Sequence, residues 1–275
     1  MKVFATYNIK GGVGKTATAV NLAYLSAREG ARTLVWDLDP QGAATFYFRI
    51  KPKVKGGSKK LVRGKRSIDL TIRGTDFEGL DLLPADFSYR HMDLDLERTK
   101  RPQQQLARLL LPLALQYDHL FLDCPPSISL VSEGVFVATD ILIVPTIPTT
   151  LSLRTLKQLY RHLEERPSRR PQMLPFFCMV DRRKVLHRHV CEYAREQGLG
   201  FLATEIPYSA NVERMGVQRS PLHACAPRDR AARAYRALAT ETFARLASGS
   251  NGTAGDVDPA RGRVNALLDE VRTLR

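Results

Sequence analysis

The stretch "YNIKGGVGKTAT", Tyr7 to Thr18, decides how the rest of the chain is read. Gly14, Lys15 and Thr16 match the end of the phosphate-binding loop G-x-x-x-x-G-K-[ST]. Where that loop has its first glycine this chain has Ile9, and a second lysine, Lys10, follows at once. Gly11, Gly12 and Gly14 leave room for backbone N–H groups around Val13 and Ala17 to close on phosphate oxygens. Lys15 can neutralise β and γ phosphates, and the Thr16 hydroxyl, at the start of a helix, suits a Mg²⁺ ion. One lysine serves such phosphates, so Lys10 raises the question of what a second is for.

Working outward, "VFATYNI" (Val3 to Ile9) reads as a buried strand leading into the loop, and "ATAVNLAYLSAREG" carries apolar residues at helical spacing until Gly30. Further strands are expected at "TLVWD" ending at Asp37, "GLDLLPA" ending at Ala85, "HLFLD" ending at Asp123, "ILIVP" ending at Pro145, "LPFFCMV" ending at Val180 and "FLATEIP" ending at Pro207. Most are followed by a helical stretch. This alternation predicts an α/β fold with a doubly wound, mostly parallel sheet flanked by helices. Ligands of such sheets lie beyond the carboxyl ends of the strands, so the residues after Ile9, Val35, Leu122 and Val180 are expected to share one site.

Two of those ends carry acids. Side chains alternate along a strand, so Asp37 and Asp39 of "WDLDPQG" are expected on one side, near the phosphates. One could support the Mg²⁺ water shell and the other could orient an attacking water. "HLFLDCPPS" ends an apolar strand in Asp123, a second carboxylate for Mg²⁺, and Pro125-Pro126 stiffens the loop behind it.

The chain's 275 residues, 44% of them hydrophobic, suffice for one large domain with a buried core. No apolar run reaches membrane-spanning length and no signal peptide is read at the N-terminus, so a cytosolic protein is expected. Four cysteines, Cys124, Cys178, Cys191 and Cys225, form no C-x-x-C pair and fit reduced thiols. "HRHVC", His187 to Cys191, is read as exposed helix residues and not as a metal site. The net charge of +14 makes polyanions plausible partners. The domain is expected over residues 1–247. Arg49 to Arg66, dense in lysine and arginine, reads as a mobile basic inserted loop. Residues 248–263 read as a flexible linker, and Val264, Leu267, Leu268, Val271 and Leu274 place a short amphipathic helix at 264–275.

With these motifs the sequence resembles the deviant-Walker ParA/MinD family of P-loop ATPases, nearest its ParA/Soj-type partition members. The likeness rests on "KGGVGKT" at Lys10 to Thr16, "DLDPQG" at Asp37 to Gly42, "GLDLLPA" at Gly79 to Ala85, "YDHLFLDCPPS" at Tyr117 to Ser127, "IVPTIPTTLSL" at Ile143 to Leu153 and "IPYSANVERM" at Ile206 to Met215. The resemblance implies an ATPase using ATP and Mg²⁺ that forms a homodimer with ATP sandwiched between subunits. Lys10 would contact the phosphates bound by the other protomer, Asp39 would position the hydrolytic water, and Asp37, Asp123 and Thr16 would support Mg²⁺. Asp181 and Pro207 would lie near the adenine.

ParA-like members bind DNA without sequence preference, so the resemblance also implies nucleoid association and a ParB-like or other cargo-adaptor protein that stimulates hydrolysis. Phosphate contacts by Lys and Arg would carry that binding. "PRDRAARAYRALATETFARLA", Pro227 to Ala247, places Tyr235, Leu238, Ala239, Phe243 and Leu246 inward and Arg230, Arg233 and Arg236 outward. Arg182, Arg183, Lys184 and Arg188 form a second basic run. Some relatives carry a DNA-contacting arginine after "SPL", where this chain has "HACAP", His223 to Pro227; the surface is then expected at Arg219, Arg228 and Arg230 or in the insert. Two other readings stand. MinD-like relatives bind membrane through a C-terminal helix, but this one is short, has no Trp or Phe and carries Asp269 and Glu270, so stable membrane insertion is not expected. A nucleotide-gated scaffold with little turnover would have no need of Asp39.

Overall fold

The computed structural model describes residues 1–65, 67–166, 170–248 and 258–273. In chain order the elements are β1 (Lys2–Thr6), α1 (Lys15–Arg28), β2 (Thr33–Asp37), α2 (Ala43–Tyr47), α3 (Gly57–Val62), β3 (Arg73–Gly74), β4 (Leu80–Leu83), α4 (Met92–Glu97), α5 (Pro102–Leu110), β5 (His119–Asp123), α6 (Leu130–Ala138), β6 (Ile141–Thr146), α7 (Thr150–Glu164), β7 (Gln172–Phe177), α8 (Val185–Glu196), α9 (Ala210–Gln218), α10 (Leu222–Cys225), α11 (Arg230–Ser248) and α12 (Asp258–Thr273). The strands lie in the order β3-β4-β2-β5-β1-β6-β7. All pairs are parallel except β3 with β4, which is antiparallel.

Period-two alternation sorts the strand side chains onto two cores. Val3, Ala5, Leu34, Trp36, Leu120 and Leu122 face the helices α3 to α8 and α12. Phe4, Val35, Phe121 and Ile143 face α1, α2 and α9 to α11. Each fully buried Leu, Ile or Phe contributes about 1.5–3 kcal/mol, which is why the strands are apolar on both faces. Helix α1 is buried on nearly every side because it lies between the sheet and α11. The doubly wound sheet expected from the sequence is the one observed, and the inward stripe of α11 is seated as expected, with Tyr235, Leu238 and Ala239 fully buried and Arg230, Arg233 and Arg236 exposed.

Three expectations are corrected. "FLATEIP" is not a strand: only Val180 and Pro207 form a parallel bridge. Leu202 and Ile206 donate to Pro175 O and Phe177 O, but between them the amides of Ala203 and Thr204 turn to the Glu241 carboxylate of α11, at 2.8 and 3.0 Å. A charged acceptor makes a stronger hydrogen bond than a ladder carbonyl, so the chain leaves the sheet there. The seventh strand is instead β3, two exposed residues too short to show a pattern. The basic insert is not a loose loop over its described residues, because α3 turns Leu61 and Val62 into the core beside Val54. His187 and Cys191 of "HRHVC" are buried, not exposed.

Helix α12 begins at Asp258, earlier than the apolar spacing alone shows. It packs on α7 and α8 with Val264, Leu267, Leu268 and Val271 buried, and His189 Nε2 lies 3.1 Å from Glu270 Oε1. Residues 249–257 of the expected linker, Arg66 and Leu274 lie outside the described residues. Among the described residues, no helix is long and apolar enough to cross a membrane.

Candidate nucleotide site

The loop from Asn8 to Gly14 joins β1 to α1 at the carboxyl end of the sheet. Asn8 clasps its start, since Nδ2 donates to Pro145 O and Oδ1 accepts from Lys10 N, both at 2.9 Å. Gly14 takes φ 94°, and a Cβ there would stand 3.0 Å from Cys178 Sγ. Both the left-handed backbone and the close approach of the β7 end require glycine. The next residue, Lys15, starts α1 and is buried, with Nζ donating to Lys10 O at 3.1 Å. Burial lowers its pKa, while the charges of Asp123 and Asp39 oppose that effect. Lys10 is only half-buried at the loop's mouth, and its Nζ donates to Ser152 Oγ of α7 at 3.3 Å.

Strand register sets Asp37 directly beside Asp123, with Thr6 on Asp123's other side. Asp37 is fully buried. Its Oδ2 accepts from Thr45 N at 2.8 Å and from the Thr45 hydroxyl at 2.7 Å, and its Oδ1 from Asp39 N at 3.3 Å. The Thr45 hydroxyl also accepts from Ala85 N at 2.9 Å, so one side chain ties the acid to the loop after β4. Asp123 is fully buried too, and its Oδ2 has no hydrogen-bond partner. Asp39 stands half-buried in the Asp39–Gly42 turn, where its Oδ1 accepts from Gln41 N at 2.9 Å.

These acids sit uneasily together. Burial pushes the Asp37 pKa up to about 6, with the Asp39 charge adding to it. Burial, then the Asp37 charge, holds Asp123 well above the carboxylate range, opposed by the Thr16 hydroxyl and Lys15. Three carboxylates against one buried lysine, with one carboxylate oxygen left without a partner, fit a divalent cation at Asp123 and Thr16. Asp37 is more committed: Thr45 and the Asp39 amide already use both of its oxygens.

Thr45 therefore carries a prediction. Thr45→Val keeps the shape but leaves Ala85 N unpaired and takes a donor from Asp37. A loss of about 3 kcal/mol is expected, or a melting temperature lower by roughly 6–12 °C, read by thermal unfolding. An unchanged midpoint would show that the tie carries no load.

The other expected residues are not gathered at the loop. Asp181 follows Val180, which forms an isolated parallel bridge with Pro207, yet Asp181 and Pro207 line different clefts. Asp181 borders one of about 480 Å³ with Thr149, His187 and Tyr208. Its carboxylate is gripped by Arg183 at 2.9 Å, which holds its pKa down to about 2. Of the basic candidates, Arg182 pairs with Glu205 at 2.8 Å, and Arg219 donates to Phe46 O and lies 4.5 Å over the Phe46 ring. Lys184, Arg228, Arg230 and Arg233 are exposed. Sequence reading missed Asn8, Thr45, Ser152 and Cys178. Only Asn8 was signalled, as an amide in an otherwise apolar strand end.

Comparison with known proteins places this arrangement. A family model described as an AAA domain matches residues 1–174. The sporulation initiation inhibitor protein Soj of Bacillus subtilis is 31% identical over 252 residues, 88% of this chain and 98% of Soj. The chromosome partitioning protein ParA of Caulobacter vibrioides is 31% identical over 202 residues, 71% of this chain and 76% of that protein. Among solved structures, cobyrinic acid a,c-diamide synthase from Mycobacterium smegmatis with bound ATP analog and magnesium has a TM-score of 0.75 at 26% identity, covering 90% of this chain and 97% of that one. The matched span with Soj takes in nearly all of both proteins, and the chain belongs to the ParA/MinD family of P-loop ATPases.

Proposed function

We propose that this chain is a partition or positioning ATPase whose ATP-bound homodimer holds DNA without sequence preference and moves a cargo through partner-stimulated hydrolysis. The chain is an ATPase that uses ATP with Mg²⁺. Lys10 is the observation that carries the dimer reading. Lys15, buried in the loop, serves this chain's own phosphates, whereas Lys10 stands at the mouth with its ammonium on α7, free to reach a nucleotide held by a second copy.

In hydrolysis a water oxygen attacks the γ-phosphorus while the bond to the β–γ bridging oxygen breaks, and the water's protons pass to phosphate and solvent. Asp39, half-exposed beside Lys15, orients that water. Lys15, and Lys10 of a second copy, hold the charge that grows on the phosphate oxygens. Thr16 and Asp123 would hold Mg²⁺, which would supply positive charge toward the phosphates. Asp37 positions rather than binds, because Thr45 occupies it. Of the two expected adenine neighbours, Asp181 and Pro207, only one can border the ring, because they line different clefts. Arg228, Arg230, Arg233 and Lys184 remain candidate DNA contacts, with Arg182, Arg183 and Arg219 diverted by their own partners. A ParB-like or other cargo adaptor completes activation, and the protein works in the cytoplasm on the nucleoid.

The MinD-like reading needs an available apolar helix face, and that of α12 is buried on α7 and α8. A titration against random-sequence duplex DNA and anionic liposomes, with ADP or ATP plus Mg²⁺ across a salt series, tests the choice. Tight, salt-sensitive DNA binding with ATP alone, and bare liposomes, is the expected result. Liposome binding without DNA binding would refute it.

A further inference from the structure

Residues 49–66 contain nine Lys or Arg and no acid. The described part of this segment is fastened to the body. Val54 N donates to Asp86 Oδ2 at 2.7 Å, the Ser58 hydroxyl donates to Asp95 Oδ2 at 2.6 Å, and Ser58 N donates to Ser88 Oγ at 2.8 Å. Gln105 Nε2 donates to Val62 O at 2.6 Å. With the apolar and hydrogen-bonding groups turned inward, the cations are left outward. Lys51, Lys55, Lys59, Lys60, Arg63 and Lys65 are all exposed, and none of them forms an ion pair among the described residues. The turn between α4 and α5, which pack beside α3, adds exposed Arg98, Lys100 and Arg101.

Like charges held this close repel one another, and apart from Lys53, which faces Asp86, these cations form no ion pair among the described residues. This differs from Arg182 and Arg183, whose charges Glu205 and Asp181 already meet. The partner that relieves such a patch carries negative charges along its length. Duplex DNA offers one phosphate per about 1.7 Å of axis, while α3 spans roughly 9 Å, so several cations meet phosphates together. A lipid surface fits less well, since Val54, Leu61 and Val62 are turned inward and the segment 51–65 itself presents no exposed large apolar side chain, the exposed Phe87 and Leu94 lying on neighbouring elements. The platform also hangs from the nucleotide site: Asp86 follows Ala85, whose amide bonds Thr45, which bonds Asp37.

We infer that the segment 51–65, with Arg98, Lys100 and Arg101, is a docking platform for the phosphate backbone of duplex DNA. This rests on the partition reading above and names the surface it uses. The full-length chain and a Lys55→Gln, Lys59→Gln, Lys60→Gln variant are compared on random-sequence duplex with Mg²⁺-ATP over a salt series, beside phosphatidylserine vesicles. The variant is expected to melt and hydrolyse ATP like the parent, to bind DNA at least 10-fold more weakly at about 100 mM salt, and to lose about 2–3 from the slope of log K against log salt. Replacing Arg228 and Arg233 by Gln is expected to change that slope less. A variant with the parent's affinity and slope overturns the platform and leaves the partition reading standing. A parent that binds no DNA with ATP overturns both, and vesicle binding lost in the variant assigns the platform to lipid instead.

Discussion

Lys15→Ala abolishes ATP binding, with an expected loss of roughly 1000-fold, about 4 kcal/mol, in affinity. The size follows from where the side chain lies. Lys15 is the buried cation of the loop, set against Asp39, Asp37 and Asp123, and its burial lowers its own pKa. Removing it takes away a charge-assisted contact to the phosphates and leaves the acids to repel them. Lys15→Met, which keeps the stem, is expected to fail equally, so the loss is one of charge and not of packing. Calorimetric titration with Mg²⁺-ATP reads this directly; binding within 10-fold of the parent would remove Lys15 from the phosphate site.

Lys10→Ala behaves differently. Monomer affinity for ATP is expected to stay within about threefold, while the ATP-dependent dimer, and with it turnover and DNA binding, is lost. In this chain the Lys10 ammonium rests on Ser152 and makes no contact with the acids, and it is the Lys10 carbonyl, retained in alanine, that receives Lys15 Nζ. The substitution therefore leaves the chain's own loop in place. Sedimentation velocity with ADP and with ATP distinguishes the two states, and an ATP dimer of the variant as stable as the parent's would refute the role.

Much of this was legible because each buried strand is a short apolar run ending in a residue with chemistry: Ile9 before the loop, Asp37 and Asp123 at their strand ends. Period and punctuation reach that far. They do not reach contacts set by distant side chains. "FLATEIP" has a strand's composition, yet Glu241 of α11 takes two of its amides. The insert reads as loose because lysines dominate it, and Val54, Leu61 and Val62 hide at spacings of seven and one, where α3 needs them. Thr45 has no local signal at all; its importance comes from standing between Asp37 and Ala85 once the strands are paired. The apolar stripe of α12 was readable, but its seat on α7 and α8 was not.

The central claim is that each nucleotide is served by one protomer's Lys15, Asp39 and Asp123 and by the other's Lys10. Steady-state ATP hydrolysis of an equimolar mixture of Lys10→Ala and Asp39→Ala chains, each inactive alone, tests it most directly. In the mixed dimer the Lys10→Ala chain keeps its own Asp39 and receives Lys10 from its partner, so one site of two is whole. Partial recovery is predicted, at most roughly half of parental turnover because one site of each mixed dimer is intact, with DNA and the activating partner present if the parent needs them. A mixture as inactive as its two components would show that Lys10 acts within its own chain.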